Sequence, residues 1–181
     1  IQPVGSDLYS GAAGIAFFLA YFDHVADDTE SRAIAKTVVR QLTRRLVATL
    51  ETSDASPAFP PSSLGAFGAL SGAVYALSHI AALWADHELI DLAERLLVKL
   101  GDLVSADRTL DIIGGTAGFI MAASALEHVR SAPATRRVLK QAAECIVARG
   151  EERAGGLSWS TNLPASQPLT GMSHGASGIA L

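Results

Sequence analysis

Five histidines, a single cysteine and eighteen carboxylates are the side chains of this 181-residue sequence that could move protons, attack carbon or hold a metal. His174 is the one that breaks a pattern. It stands directly before Gly175, where three related runs earlier in the chain carry Ser10, Gly68 and Gly114. Imidazole is the commonest general acid or base, so a histidine that replaces small residues at a recurring position is a candidate for that role. Its plainer reading is a capping histidine. Asp111 begins the run that opens the third repeat, and its chemical reading is a carboxylate on a cavity rim that orients a base or a substrate proton. Its plainer reading is an acid near a helix N-terminus. Asp7 holds the same repeat position and supports that plainer reading, so at least one of the two is structural.

The other candidates have ordinary explanations. His24 and His128 each lie ten residues past the second glycine of their runs, which suggests a shared structural place at a helix end. His79 falls inside an apolar helix and His87 at the start of an amphipathic one. Cys145 sits on an apolar stripe, where a small buried hydrophobe is the expected behaviour. No Cys/His grouping has metal-ligand spacing. The glycine runs follow no strand and lack the dinucleotide and phosphate-loop spacing. Ser173 is not a nucleophile elbow, for want of a strand and of flanking glycines.

The elements that must position these residues come from a repeat. Asp7-Leu8-Tyr9-Ser10-Gly11-Ala12-Ala13-Gly14 matches Asp111-Ile112-Ile113-Gly114-Gly115-Thr116-Ala117-Gly118. Gly65-Ala66-Phe67-Gly68-Ala69-Leu70-Ser71-Gly72 matches Gly171-Met172-Ser173-His174-Gly175-Ala176-Ser177-Gly178. Apolar runs over 15–22, 73–84 and 119–126 follow the first three and read as buried inner helices without a solvent face. Amphipathic segments over 29–51, 86–104 and 133–149 alternate with them as outer helices. Their stripes are Ile34, Val38, Leu42, Leu46 and Leu50; then Leu89, Ala93, Leu96, Leu100 and Leu103; then Val138, Ala142, Cys145 and Ile146. Linkers at 52–63, with Pro57, Pro60 and Pro61, and at 153–168 are irregular, and no run alternates convincingly as a strand. The fold class expected is all-α: an α/α toroid or solenoid whose glycine-opened inner helices point their N-termini at a shared hollow.

Composition narrows the function classes. The chain is 49% hydrophobic and 18% charged, which is globular rather than disordered. A net charge of -4 argues against a nucleic-acid partner. No apolar stretch is long enough for a transmembrane segment. A lone cysteine suits a reducing compartment, so a cytoplasmic location is expected.

The four runs, taken in order as Asp7–Ala16, 65–77, 111–118 and 169–181, resemble the signatures of the lanthionine synthetase C-like family. The opening run and Leu169-Thr170-Gly171-Met172-Ser173-His174-Gly175 are most similar to the cyclase half of class II (LanM-type) lanthipeptide synthetases. The likeness implies a toroid of seven inner and seven outer helices, of which 1–181 is a single partial domain, about the first half. It implies a zinc enzyme of the cytoplasm that adds peptide cysteine thiols to dehydroalanine or dehydrobutyrine in a precursor peptide, closing thioether rings. By matching position, His174 resembles the family's active-site histidine and Asp111 its rim aspartate. The family's zinc ligands, a Cys and a later Cys-His pair, are expected downstream of Leu181. The chain by itself is therefore expected to hold no zinc or other cofactor and to be inactive, and to dimerise through exposed inner-helix surface. The competing expectations are a non-catalytic peptide- or thiol-binding domain of the same family and an unrelated α/α-barrel enzyme. The latter wants paired carboxylates and an aromatic-lined cavity, which a chain with 6% aromatics does not offer.

Overall fold

The computed structural model describes residues 4–53, 59–153, 155–164 and 167–181; Pro57 of the first linker and 154, 165 and 166 of the second lie outside the described residues. Seven α-helices make up most of the described residues: α1 (Ala12–Ala26), α2 (Thr29–Ser53), α3 (Leu70–Trp84), α4 (His87–Gly101), α5 (Thr116–Val129), α6 (Pro133–Ala148) and the short α7 (Ala176–Ile179). The fold is all-α, as expected. Helices α1, α3 and α5 pack side by side as an inner row, and each carries the helix that follows it, α2, α4 or α6, on its outer side. Three such pairs in sequence are compatible with an arc of a toroid.

Local chemistry explains the boundaries. Asp86 caps α4 by accepting hydrogen bonds from the backbone N–H groups of Glu88 at 3.0 Å and Leu89 at 3.2 Å. Pro133 opens α6 at a position where its missing N–H costs nothing. Asp27 and Ala85 end α1 and α3 in the left-handed conformation, with φ of 50° and 52°. The core runs between the two rows and is filled by Leu42, Leu46, Leu77, Ile80, Leu96, Leu97, Leu100 and Phe119.

Three expectations need correction. The buried stripe of α2 is Ala35, Val39, Leu42, Leu46 and Leu50, while Ile34 is 45% exposed. A helix turns once per 3.6 residues, so a strict spacing of four drifts off the buried face over five turns. Helix α1 does have a solvent face: Ile15, Phe18, Phe22 and Val25 are exposed, and alanines 12, 13, 16 and 20 make its buried side. Lastly, the second linker contains a small antiparallel hairpin, β1 (Glu151–Arg153) with β2 (Gly156–Ser158), close to a glycine at φ +127°. The indole N–H of the buried Trp159, just past it, donates to the Ile146 carbonyl at 2.8 Å and ties the linker to α6.

Candidate active site

Four turns precede the glycine-opened helices, and the repeat aligns them residue for residue. The helix-capping positions are Gly11, Ala69, Gly115 and Gly175, all in extended backbone. Three residues on, Gly14, Gly72, Gly118 and Gly178 sit so close to the carbonyl oxygens of Leu8, Ala66, Ile112 and Met172 that a Cβ would collide with each. The second glycine of each run is therefore a packing requirement met four times, while the capping position tolerates Ala69 in the second turn. The turns also bond to one another: Tyr9 N–H donates to the Phe67 carbonyl and Ala66 N–H to the Ile112 carbonyl, both at 3.0 Å.

The third and fourth turns are linked by side chains. His174 Nδ1 lies 2.7 Å from Asp111 Oδ2. The Asp111 side chain is 1% exposed and that of His174 40%. A carboxylate only accepts hydrogen bonds, so Nδ1 carries the hydrogen and Nε2 is the nitrogen left for a ligand. The other Asp111 oxygen, Oδ1, accepts from Gly114 N–H at 2.8 Å, which fixes the carboxylate before the histidine reaches it. Both sequence candidates are thus in direct contact across 63 residues of chain.

A cleft of about 620 Å³ opens over the four turns. Asp7, Tyr9, Ser10, Phe67, Ile112, Ile113, Met121, Met172, Ser173, His174 and Leu181 border it, so its walls are chiefly apolar. Beneath lies a second, smaller core of Ala66, Leu110, Ile112, Ala117, Ile146, Trp159 and Ile179, which draws on the second, third and fourth repeats. A somewhat larger groove of about 670 Å³ lies between α2 and α4, where Lys36, Arg40, Arg44 and Arg95 face Glu51 and Glu88. It holds no histidine and belongs to the solvated outer surface.

Asp107 is the residue that the sequence reading missed. It is 1% exposed and accepts from the N–H groups of Thr109 (2.8 Å), Leu110 (3.1 Å) and Thr116 (2.8 Å) and from the Thr116 hydroxyl (2.7 Å). The Arg149 guanidinium donates to the carbonyls of Asp107 and Ser105. Leu110, held at φ 62°, links this knot to Asp111. An Asp followed two residues later by Thr is an ordinary Asx-turn signal that marks the position.

The remaining histidines occupy lesser places. His24 and His128 are exposed in the last turns of α1 and α5. His79 belongs to an aromatic cluster with Phe17, Tyr21 and Tyr75. The Tyr21 hydroxyl lies 2.7 Å from His79 Nδ1. Burial pushes His79 below the usual histidine range, while burial and then the Tyr75 phenol push Tyr21 up.

Zinc, which the resemblance implies, finds no ligand set among the described residues. No group of three or more His, Cys, Asp or Glu that could hold a metal stands together among the described residues. Cys145 is on α6, its Sγ 3.5 Å from the Val104 carbonyl, away from the cleft.

The glycine-opened inner helices and the His–Asp pair at their N-termini define an α/α repeat domain with a histidine and a buried carboxylate in contact at one end. The chain matches the lanthionine synthetase C-like protein family over residues 2–181 and belongs to it. No curated protein matches the chain. Among the described residues no helix is long and apolar enough to cross a membrane.

Proposed function

We propose that this chain carries the acid/base half of a lanthipeptide cyclase centre, of the class II type that its opening motif resembles. The carrying observation is the 2.7 Å contact of His174 with the buried Asp111 in an apolar cleft. The reaction adds a peptide cysteine thiol to the β-carbon of dehydroalanine or dehydrobutyrine. The carbon–sulfur bond forms, the C=C π pair moves to the α-carbon and carbonyl as an enolate, and the α-carbon then takes a proton. Thiol and product exchange one proton overall. His174 Nε2 is the group to supply the proton at the α-carbon, and Asp111 holds the ring in the tautomer that leaves Nε2 facing the cleft. Zinc, when bound, supplies thiol activation. Its ligands are assigned to a part of the toroid other than these residues, and the chain alone is inactive.

Two further points complete the reading. Ile15, Phe18 and Phe22 occupy repeat positions that α3 fills with the buried Ala73, Ala76 and Ile80, and α5 with the buried Phe119, Ala122 and Leu126. The open face of α1 thus has the composition to receive a further repeat of the toroid, and in the isolated chain it drives dimerisation. Chemistry on free peptide thiols also needs a reducing compartment, which places the protein in the cytoplasm.

The test uses the parent protein with a dehydrated, cysteine-containing precursor peptide. Thiol consumption and proton or deuteron incorporation at the α-carbon are followed by mass spectrometry. Cyclisation that is lost in His174→Gln while the fold is retained supports the reading; full cyclisation by that variant overturns it. For the chain alone, stoichiometric zinc in elemental analysis would contradict the placement of the ligands.

A further inference from the structure

The first turn repeats the third but lacks its partner. Asp7 Oδ1 accepts from Ser10 N–H at 2.7 Å, as Asp111 Oδ1 accepts from Gly114 N–H at 2.8 Å. The Ser10 hydroxyl adds a second bond to the same Asp7 oxygen at 3.2 Å. Asp111 then uses Oδ2 to hold His174 in the neighbouring fourth turn. The neighbour of the first turn is the second, bonded to it through Tyr9 and Phe67, and there the position equivalent to His174 is Gly68. A Cβ built on Gly68 meets nothing within 4 Å. Among the described residues Asp7 Oδ2 accepts no hydrogen bond, and the space over Gly68, where the fourth turn carries its imidazole, stands open. Gly5 and Gly11 flank this oxygen, and a Cβ on either would crowd it at 2.7 and 2.8 Å. Asp7 and Gly68 both border the cleft that holds His174, and no lysine or arginine borders it among the described residues.

We propose that Asp7 and the space over Gly68 form a recognition subsite for a cationic side chain, a lysine or arginine of the peptide whose reacting residues lie at His174. This rests on the peptide-cyclase reading for the identity of the ligand. A lone carboxylate oxygen in an apolar cleft with no protein cation favours an ammonium or guanidinium over a neutral or acidic side chain. The subsite sets affinity and orientation rather than the proton transfers. An unpaired carboxylate of intermediate exposure discriminates by about fivefold between a lysine and its neutral replacement.

The test measures binding of fluorescein-labelled decapeptides to the full chain by anisotropy. Each peptide has one cysteine, one dehydroalanine and apolar neighbours, with Lys, Gln or Glu at one fixed position. The expected order of affinity is Lys, then Gln, then Glu, by about fivefold per step. Asp7→Asn retains an acceptor for Ser10 N–H and should bring the three affinities together. Gly68→His should do the same by pairing with Asp7 and filling the space. Equal affinities in the unaltered chain, or an order that persists in both variants, overturns the proposal. Thiol consumption by the parent protein, assayed with the same peptides, separates the two readings. Ring closure without charge preference sinks only the subsite, whereas charge preference without ring closure under any metal condition sinks the cyclase.

Discussion

The turns at Asp7 and Asp111 agree at four of eight residues and share the bond from aspartate to the N–H three residues on, yet only one of them meets a histidine. Both aspartates bind the N–H three residues on, both precede a glycine-capped helix, and both helices open with a glycine pressed on a carbonyl. The difference comes from the next turn along, His174 in one case and Gly68 in the other. Burial follows the same division, since Asp111 is buried and Asp7, partly exposed, borders the cleft. The lesson is that the repeat fixes where a carboxylate stands, and a single neighbouring residue decides what it does.

The strongest way to break this comparison is to remove the partner. His174→Gln and Asp111→Asn should each lower the cyclisation rate of the parent protein by about 10²- to 10⁴-fold, the range for loss of positioned acid/base catalysis. Asn at 111, keeping the Gly114 bond through its oxygen, turns its NH2 donor toward Nδ1, so the ring loses its fixed tautomer. Asp7→Asn should cost less than about tenfold, and mostly in KM. Single-turnover rates of thiol loss distinguish these outcomes. Equal losses at 7 and 111 would mean that the two turns share one role.

The helices behind the turns extend the contrast to stability. Phe119 of α5 is fully buried beside Gly101, whereas Ile15, its repeat equivalent on α1, is 45% exposed. Phe119→Ala should destabilise by about 3–5 kcal/mol in urea unfolding. Ile15→Ala should change stability by less than about 0.5 kcal/mol in the monomer, and it should weaken self-association of the chain. A large loss at Ile15 in monomeric protein would show that this face is covered from within.

A smaller effect probes what the two turns have in common. Gly118→Ala should cost about 2–3 kcal/mol because the new methyl meets the Ile112 carbonyl, and the Ala66 backbone N and Cβ besides. Gly14→Ala meets chiefly the Leu8 chain and should cost somewhat less, while Gly68→Ala, which meets nothing, should be near neutral. Thermal unfolding ranks the three. Equal stability of Gly118→Ala and Gly68→Ala would remove the packing account of the glycine pairs.

Much of this was legible in the residues, for identifiable reasons. The glycine runs marked all four turns because, at Gly14, Gly72, Gly118 and Gly178, a close approach to backbone excludes every other side chain. That local requirement leaves a local signature. His174 and Asp111 stood out because one broke the repeat and the other began a copy of it. What stayed hidden was set by distant contacts. The exposed face of α1 reads as apolar as the buried faces of α3 and α5, because composition does not say which neighbours are present. The phase of the α2 stripe depended on how a 25-residue helix lies along α1. The three-residue strands are too short to show alternation, and the segment is held by Leu157 against Gly150 and by Trp159 on α6. Asp107 was visible as a turn former, but two of its four hydrogen bonds depend on Thr116 folding back on it.

The mildest effect concerns the other histidine that bridges two repeats. Tyr21 on α1 and His79 on α3 join the first and second repeats as Asp111 and His174 join the third and fourth, but the partner is a phenol. Burial lowers His79 and so favours its neutral ring, which can accept at Nδ1 from the Tyr21 hydroxyl. The group binds protons more weakly folded than unfolded. Its contribution is therefore complete above the unperturbed histidine value near 6.5 and is lost as the pH falls through the lower folded value. Stability should decline as the pH falls below about 6.5, and His79→Gln, which can still accept from Tyr21 but does not titrate, should flatten part of that decline. Urea midpoints of the two proteins across this range provide the measurement. A decline equally steep in His79→Gln would assign the acid sensitivity to other groups and leave the Tyr21–His79 contact as packing alone.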